Sequence, residues 1–170
     1  MMIFVDIEAD GPIPGDYSMI AIGAVAYTED RPTFLDYLRP ISEKWVPQAL
    51  KVSGFTRADT LQFPDARGTM QRFYEWVTEV CGNERPFFVS DNNGFDWMFV
   101  AWYFHHFLGR NPFGHSSTNL GSLYKGLVRS LFLNFKHLRK TPHTHNPLDD
   151  AIGNLEAFEE MVKRWKVRFR

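Results

Sequence analysis

The chain has 170 residues, 44% of them hydrophobic, which is room for one domain (residues 1–170) with a sizeable core. Its 19 Lys plus Arg nearly balance 20 Asp plus Glu, for a formal charge of −1. That balance excludes a protein that grips polyanions by bulk positive charge, so any attraction for phosphate must be local.

The first apolar, β-prone run is Met2–Ile7, and it reads as a strand. The preceding residues lack the basic segment of a secretory leader, and an acid arrives at Asp6. Pro12-Ile13-Pro14-Gly15-Asp16 is a loop, and Ser18–Tyr27 is a second strand. After the turn Glu29–Pro32, Thr33–Leu38 forms a third strand and completes an antiparallel meander. Residues 39–63 hold a short helix and loops. Asp65–Val80 is helical, with Phe73, Trp76, Val77 and Val80 on one face. The lone Cys81 closes it as a small buried hydrophobe. A single thiol forms no internal disulfide, and no run reaches the ~20 apolar residues of a membrane span, so a cytoplasmic location is expected. Pro86–Val89 is a buried strand, and Asp96–Leu108 an aromatic helix. Asn119–Leu133 is predicted helical, and Leu148–Arg164 is a closing amphipathic helix. Strands first, then strands alternating with helices, predict an α/β fold with a mixed sheet flanked by helices.

Three chain positions carry candidate chemistry. Asp6 and Glu8 are two apart on a strand, so they share a face with Cα atoms roughly 7 Å apart, while Ile3, Val5 and Ile7 point into a core. Paired acids at the end of an apolar strand are compensated by bound cations, or by solvent if the strand has ended. Asp96 stands in the first turn of a helix capped by Asn92 or Asn93, where the helix dipole tolerates an anion. In His145-Asn146-Pro147-Leu148-Asp149-Asp150, Asn146 is an N-cap, Pro147 takes N1 and Asp149 takes N3 as a capping-box acid. His145 and Asp150 then occupy the N′ and N4 positions, whose side chains meet.

These three segments resemble the motifs of the DEDDh (DnaQ-like) exonuclease superfamily. Phe4-Val5-Asp6-Ile7-Glu8-Ala9-Asp10-Gly11 resembles hydrophobic-Asp-x-Glu-x-x-Gly, Asn92–Asp96 resembles Asn-x-x-Phe-Asp, and His145 to Asp150-Ala151 resembles His-x4-Asp-Ala. The opening DIEADGPIPGDYSMIAIGAV is similar to small stand-alone exoribonucleases related to ribonuclease AS. Trp45 with Ser53-Gly54-Phe55 resembles a segment of oligoribonucleases in which a Trp lies near the terminal base. The chain departs from the family pattern at Ala9 and at Thr118-Asn119.

The resemblance implies a ribonuclease H-like mixed sheet, an antiparallel meander plus parallel strands. It implies two Mg²⁺ or Mn²⁺ ions held by Asp6, Glu8, Asp96 and Asp150. Such ions activate water at one site and stabilise the leaving oxygen at the other. His145 becomes the general base, a task suited to a side chain that titrates near neutral pH. Gly11, Trp45, Phe55 and Asn92 become substrate-binding residues. For Trp45 and Phe55 ordinary core packing is the commoner role of such aromatics, and His143 is a decoy for the base role, since only His145 has the five-residue step to Asp150.

The reaction implied is 3′–5′ exoribonuclease action on single-stranded RNA or an RNA 3′ overhang, releasing nucleoside 5′-monophosphates. The same chemistry on single-stranded DNA is the alternative. A non-catalytic nucleic-acid-binding module and a small-nucleotide phosphatase are the readings from other classes. Related small exonucleases are often dimers, so a homodimer is possible. The basic stretch Lys136–Lys140 contacts substrate or is a solvated face. The C-terminal Lys163, Arg164, Lys166, Arg168 and Arg170 complement the last helix dipole.

Overall fold

The structure, a computed structural model, describes residues 1–168, and Arg170 of the C-terminal basic group lies outside the described residues. Five strands form one sheet in the order β3-β2-β1-β4-β5: β1 Met2–Ala9, β2 Met19–Ala26, β3 Thr33–Tyr37, β4 Phe87–Ser90 and β5 Ser117–Asn119. β1, β2 and β3 are the expected antiparallel meander, while β4 runs parallel to β1 and β5 parallel to β4. The helices are α1 Pro47–Ser53, α2 Arg57–Thr60, α3 Ala66–Cys81, α4 Asn93–Leu108, α5 Leu120–Val128 and α6 Pro147–Trp165, with a 3-10 turn at Lys136–Leu138.

Strand alternation divides the core between the two faces of the sheet. Ile3, Val5 and Ile7 of β1 pack with Phe73 and Val77 of α3 and Phe99 and Phe104 of α4. Phe4 and Val89 face the other way, onto Leu155, Phe158 and Met161 of α6. β2 is buried along its whole length, which explains its unbroken small and apolar run. The aromatic helix α4 packs as expected, with Phe99 and Phe104 in the core and Trp97 and Trp102 against it. Cys81 is buried at the end of α3. Among the described residues no helix is long and apolar enough to cross a membrane.

Most bounds shift by a residue or two, β1 running on to Ala9 so that Glu8 lies within it, and three elements differ further. α4 begins at Asn93, ahead of Asp96. The three-residue strand β5 (Ser117-Thr118-Asn119) has no apolar alternation by which to read it, and pairing with β4 alone defines it. The predicted helix Asn119–Leu133 is shorter: Asn119 is its N-cap, accepting from the Ser122 N–H, but Arg129 adopts a left-handed conformation (φ 55) and ends α5 at Val128. Leu131, Phe132 and Leu133 are exposed, so no burial sustains a further turn.

Candidate active site

The site is built where β1 outruns its neighbour. β4 pairs with β1 only as far as Phe4↔Val89, so Asp6 and Glu8 lie beyond that ladder, at the carboxyl end of the central strand. Open α/β sheets bind ligands at such ends. Both acids continue the Phe4 row and face the layer that contains α6. Across the sheet Asp6 pairs with Gly23 of β2. A Cβ at Gly23 would lie 2.2 Å from the Leu148 backbone nitrogen. The missing side chain therefore lets the first turn of α6 sit against the sheet and deliver Asp150 to the two acids. Carboxylate oxygens of Asp6, Glu8 and Asp150 all lie within 4.8 Å of one another.

Asp96 arrives from the opposite layer, one turn into α4, and is buried. It sits close enough to Asp6 to raise that carboxyl's cost of ionisation. Burial, then the neighbouring charges of Asp96, Asp150 and Glu8, hold the Asp6 carboxyl well above its ordinary range, while Arg139 opposes them. Burial first, then Asp150 and Asp96, push Glu8 up to about 8. Burial is also the main cause that raises Asp96 to about 7, with the Ser90 hydroxyl acting against it. Such a cluster of acids without a cation is electrostatically frustrated. In addition, Oδ2 of Asp96 and Oδ2 of Asp150 are buried with no hydrogen-bond partner among the described residues. Oxygen donors that are desolvated, crowded and unsatisfied fit hard divalent cations, which take carboxylate oxygens as ligands.

The α6 entrance differs in detail from the expected cap. Asn146 does cap it, accepting from Leu148 N–H at 3.0 Å, and Pro147 takes the first turn. Asp149 instead accepts from the Thr144 hydroxyl at 2.8 Å, so no capping box forms. His145 adopts a left-handed backbone conformation (φ 59), which carries its ring toward β1, with Nδ1 3.7 Å from Glu8 Oε1. His143 takes the hydrogen bond to Asp150, Nδ1 to Oδ1 at 2.7 Å, and the two imidazoles meet edge to face at 4.2 Å. The five-residue step brings His145 to the cluster, as a ligand-forming group with His143 and Asp150, but the direct hydrogen bond belongs to His143.

Arg139 was only one member of a basic stretch in the sequence; in the fold it stands apart. Its side chain is 5% exposed and pairs with Asp91 at 3.2 Å. The same Nη2 donates to Asn154 Oδ1 of α6 at 2.5 Å, and Nη1 stands 3.7 Å from Asp150 Oδ1. It ties the β4–α4 loop to α6 directly behind the acids. Lys136 and Lys140, its neighbours in the stretch, are exposed.

A second clip holds the far side of the site. Asp10 is buried, accepts from Ser18 N–H and binds Arg57 of α2 at 2.8 Å, while its carbonyl accepts from Val46 N–H. Val46 is thereby tied to the backbone two residues past Glu8, and its neighbour Trp45 is 39% exposed. Phe55 is different: it packs edge-on against Tyr37 and Phe63 in a half-buried aromatic group. Gly11 is pressed on the Tyr17 ring, where a Cβ would lie 2.0 Å from a ring carbon. Asn92 caps α4 only through its backbone, leaving its side chain exposed two residues past the end of β4. A cavity of about 1040 Å³ opens at the other end of β1, lined by Met1, Phe87 and Thr118 among others, and holds none of these acids.

Acids converging from both layers on the end of a central strand, in a mixed sheet of this order, define a metal-dependent nuclease with the ribonuclease H-like fold. No family model matches the sequence. The chain is 38% identical over 175 residues to the 3′–5′ DNA exonuclease Cap18 of Escherichia coli, covering 96% of this chain and 92% of that protein. Its fold is similar to the nuclease domain of 3′hExo, a DEDDh family member bound to rAMP, with a TM-score of 0.72 and 15% identity over 99% of this chain and 95% of that one. It is also similar to the exonuclease I–single-stranded DNA complex of E. coli in its zinc-bound form, with a TM-score of 0.75 and 16% identity. That match covers 97% of this chain but only 41% of exonuclease I. The chain belongs to the DEDDh family of metal-dependent 3′–5′ exonucleases.

Proposed function

We propose that the protein removes nucleotides one at a time from the 3′ end of single-stranded DNA, releasing nucleoside 5′-monophosphates. The observation that carries this reading is the trio of desolvated carboxylates, Asp6, Glu8 and Asp150, with their oxygens within 4.8 Å of one another. Asp96 completes the set from the opposite layer, and Mg²⁺ or Mn²⁺ suits the four. Two divalent ions, when bound by such residues, lower the pKa of a water and stabilise charge on the departing 3′ oxygen. The likeness to Cap18 favours DNA over the RNA that the opening motif suggested.

The protein's own groups divide the remaining work. Arg139 holds Asp150 and Asp91 in place from behind. His145 is the general base that accepts the proton of the attacking water: its ring is 42% exposed, turned toward Glu8, and makes no hydrogen bond that would consume a nitrogen among the described residues. His143, fixed by Asp150, is the second reading for that role. Trp45 is the stacking surface for the terminal base, since Phe55 is occupied by its aromatic neighbours. Asn92 reaches the terminal nucleotide from the α4 side, and Gly11 keeps the strand end thin enough for it to enter. The single thiol supports a reducing, cytoplasmic setting.

The test is a time course on matched DNA and RNA oligomers, labelled at the 5′ end, with Mg²⁺ or Mn²⁺. Stepwise shortening from the 3′ end, faster for DNA, is expected. Faster loss of RNA would restore the ribonuclease reading. No shortening with any divalent ion would leave a binding module, and internal cuts would exclude an exonuclease.

A further inference from the structure

The even overall charge conceals a division along the chain. Residues 97–148 contain no Asp or Glu, yet carry six Lys and Arg and every one of the six His. All 20 acids lie elsewhere. Five of these six Lys and Arg lie between the start of α5 and Lys140, in α5, the loop after it and the segment through the 3-10 turn. α5 starts at the site: a Cβ on Gly121 would lie 3.6 Å from Asp91 Oδ1, the carboxylate paired with Arg139. From there α5 runs about 12 Å outward to Arg129, at ~1.5 Å per residue. Tyr124 binds it to the returning turn through Phe135 and His137.

Along this arm Lys125 and Arg129 stand four residues apart, and Lys136 and Lys140 line the return. None of these four takes part in an ion pair among the described residues. At its tip the Phe132 ring is 97% exposed, between Leu131 and Leu133. Bare cations interleaved with an exposed aromatic are what a single strand needs, charge for its phosphates and a ring for a base. A protein partner with an acidic apolar surface would also satisfy the charge. It would not explain why the arm starts beside the acids that hold the 3′ end.

Resting on the exonuclease reading above, we infer that the α5 arm is a track for the substrate strand upstream of the cleaved nucleotide. Lys125, Arg129, Lys136 and Lys140 take its phosphates, and Phe132 stacks on one of its bases. Polymer length, not only the 3′ terminus, then governs affinity. Phosphates spaced at ~3.4 Å or more reach Arg129 after about three or four nucleotides.

The experiment compares oligothymidylates of 2 and 12 nucleotides, with Mg²⁺, for the wild type, Lys125→Ala/Arg129→Ala and Phe132→Ala. The wild type is expected to favour the 12-mer through a lower KM. Phe132→Ala should raise KM for the 12-mer about tenfold, and the double variant should flatten the log KM against log salt slope by about 1.4. Both losses are confined to the longer substrate. Because Arg129 and Phe132 are exposed and Lys125 is half-buried with no ion pair among the described residues, thermal unfolding should move little, and Phe132→Trp should restore the KM and be quenched by the strand. An unchanged ratio of 12-mer to 2-mer efficiency in both variants overturns the inference. So does a change only in sedimentation, which would make the arm a contact with a second copy, or a loss only of binding to anionic vesicles. If the wild type hydrolyses neither oligomer, the function reading fails instead. Anisotropy of a labelled 12-mer on the same variants then decides the track by itself.

Discussion

Asp6, Glu8 and Asp96 give the metal-free protein an unusual pH dependence. An unfolded carboxyl ionises near ~4, but burial, helped by Asp150 and Asp96 at Glu8 and by Asp91 at Asp96, moves Glu8 to about 8 and Asp96 to about 7 in the fold. Between those limits the native state binds more protons than the unfolded chain. Stability therefore is full at the acid side and falls as pH rises toward 8, the reverse of a salt-bridged carboxylate. In chelator, Tm should decline from about pH 5 to 8; a rise across that window would contradict the geometry. Divalent ion at one hundred times its Kd should return about 2.7 kcal/mol at pH 8. Asp6→Asn should raise Tm in chelator at that pH and abolish the gain from metal, with activity lost.

Proton transfer can be separated from positioning at the two histidines. His145→Ala should lower kcat by about 10²- to 10⁴-fold, the range for a lost general base. His143→Ala should cost about tenfold to a hundredfold, as loss of a partner of a metal ligand does. The reverse ranking in steady-state kinetics would transfer the base role to His143. For Arg139, replacement by Met leaves Asp91 and Asn154 without their partner behind Asp150. We expect a loss of about 3 kcal/mol, a Tm drop of about 6–12 °C in a chain of this size. Arg139→Lys should not rescue it, because an ammonium cannot span the same three partners.

Among the elements, α6 matters most, because its first turn carries Asp150 and its approach to the sheet is set by a residue on β2. Gly23→Ala would place a methyl carbon inside the backbone of Pro147 and Leu148. The helix must shift, at about 1–3 kcal/mol for overpacking, and the three-carboxylate cluster opens. The expected signature is a kcat loss larger than the fall in Tm would explain, measured on the same preparation. Replacing Asn146 by Ala should be milder, about 1 kcal/mol for a lost cap, because Pro147 and the sheet contact still hold the helix start.

At the scale of the molecule, the two faces of one sheet share every strand, so the cores on either side should melt together. Calorimetry of the 170-residue chain should give a single transition with equal calorimetric and van't Hoff enthalpies, which tests the one-domain reading. Much of this architecture was legible beforehand because local rules carry it. Alternation put Asp6 and Glu8 on one face. The Asn146-Pro147 start marked α6, and the apolar periods marked α3 and α4. β5 and the early end of α5 were not legible, since a three-residue strand exists only through its neighbour and an exposed apolar run resembles a buried one until its surroundings are known. Asp6, Glu8, Asp96 and Asp150 were picked out by their motifs, and the fold gathers these four carboxyls at one strand end. Only the tertiary structure decided which histidine bonds Asp150, that Arg139 is buried behind it, and that Gly23 lets the helix in. Those contacts join residues 7 to 125 positions apart, one of them at the limit of van der Waals approach, and spacing along a chain does not by itself decide them.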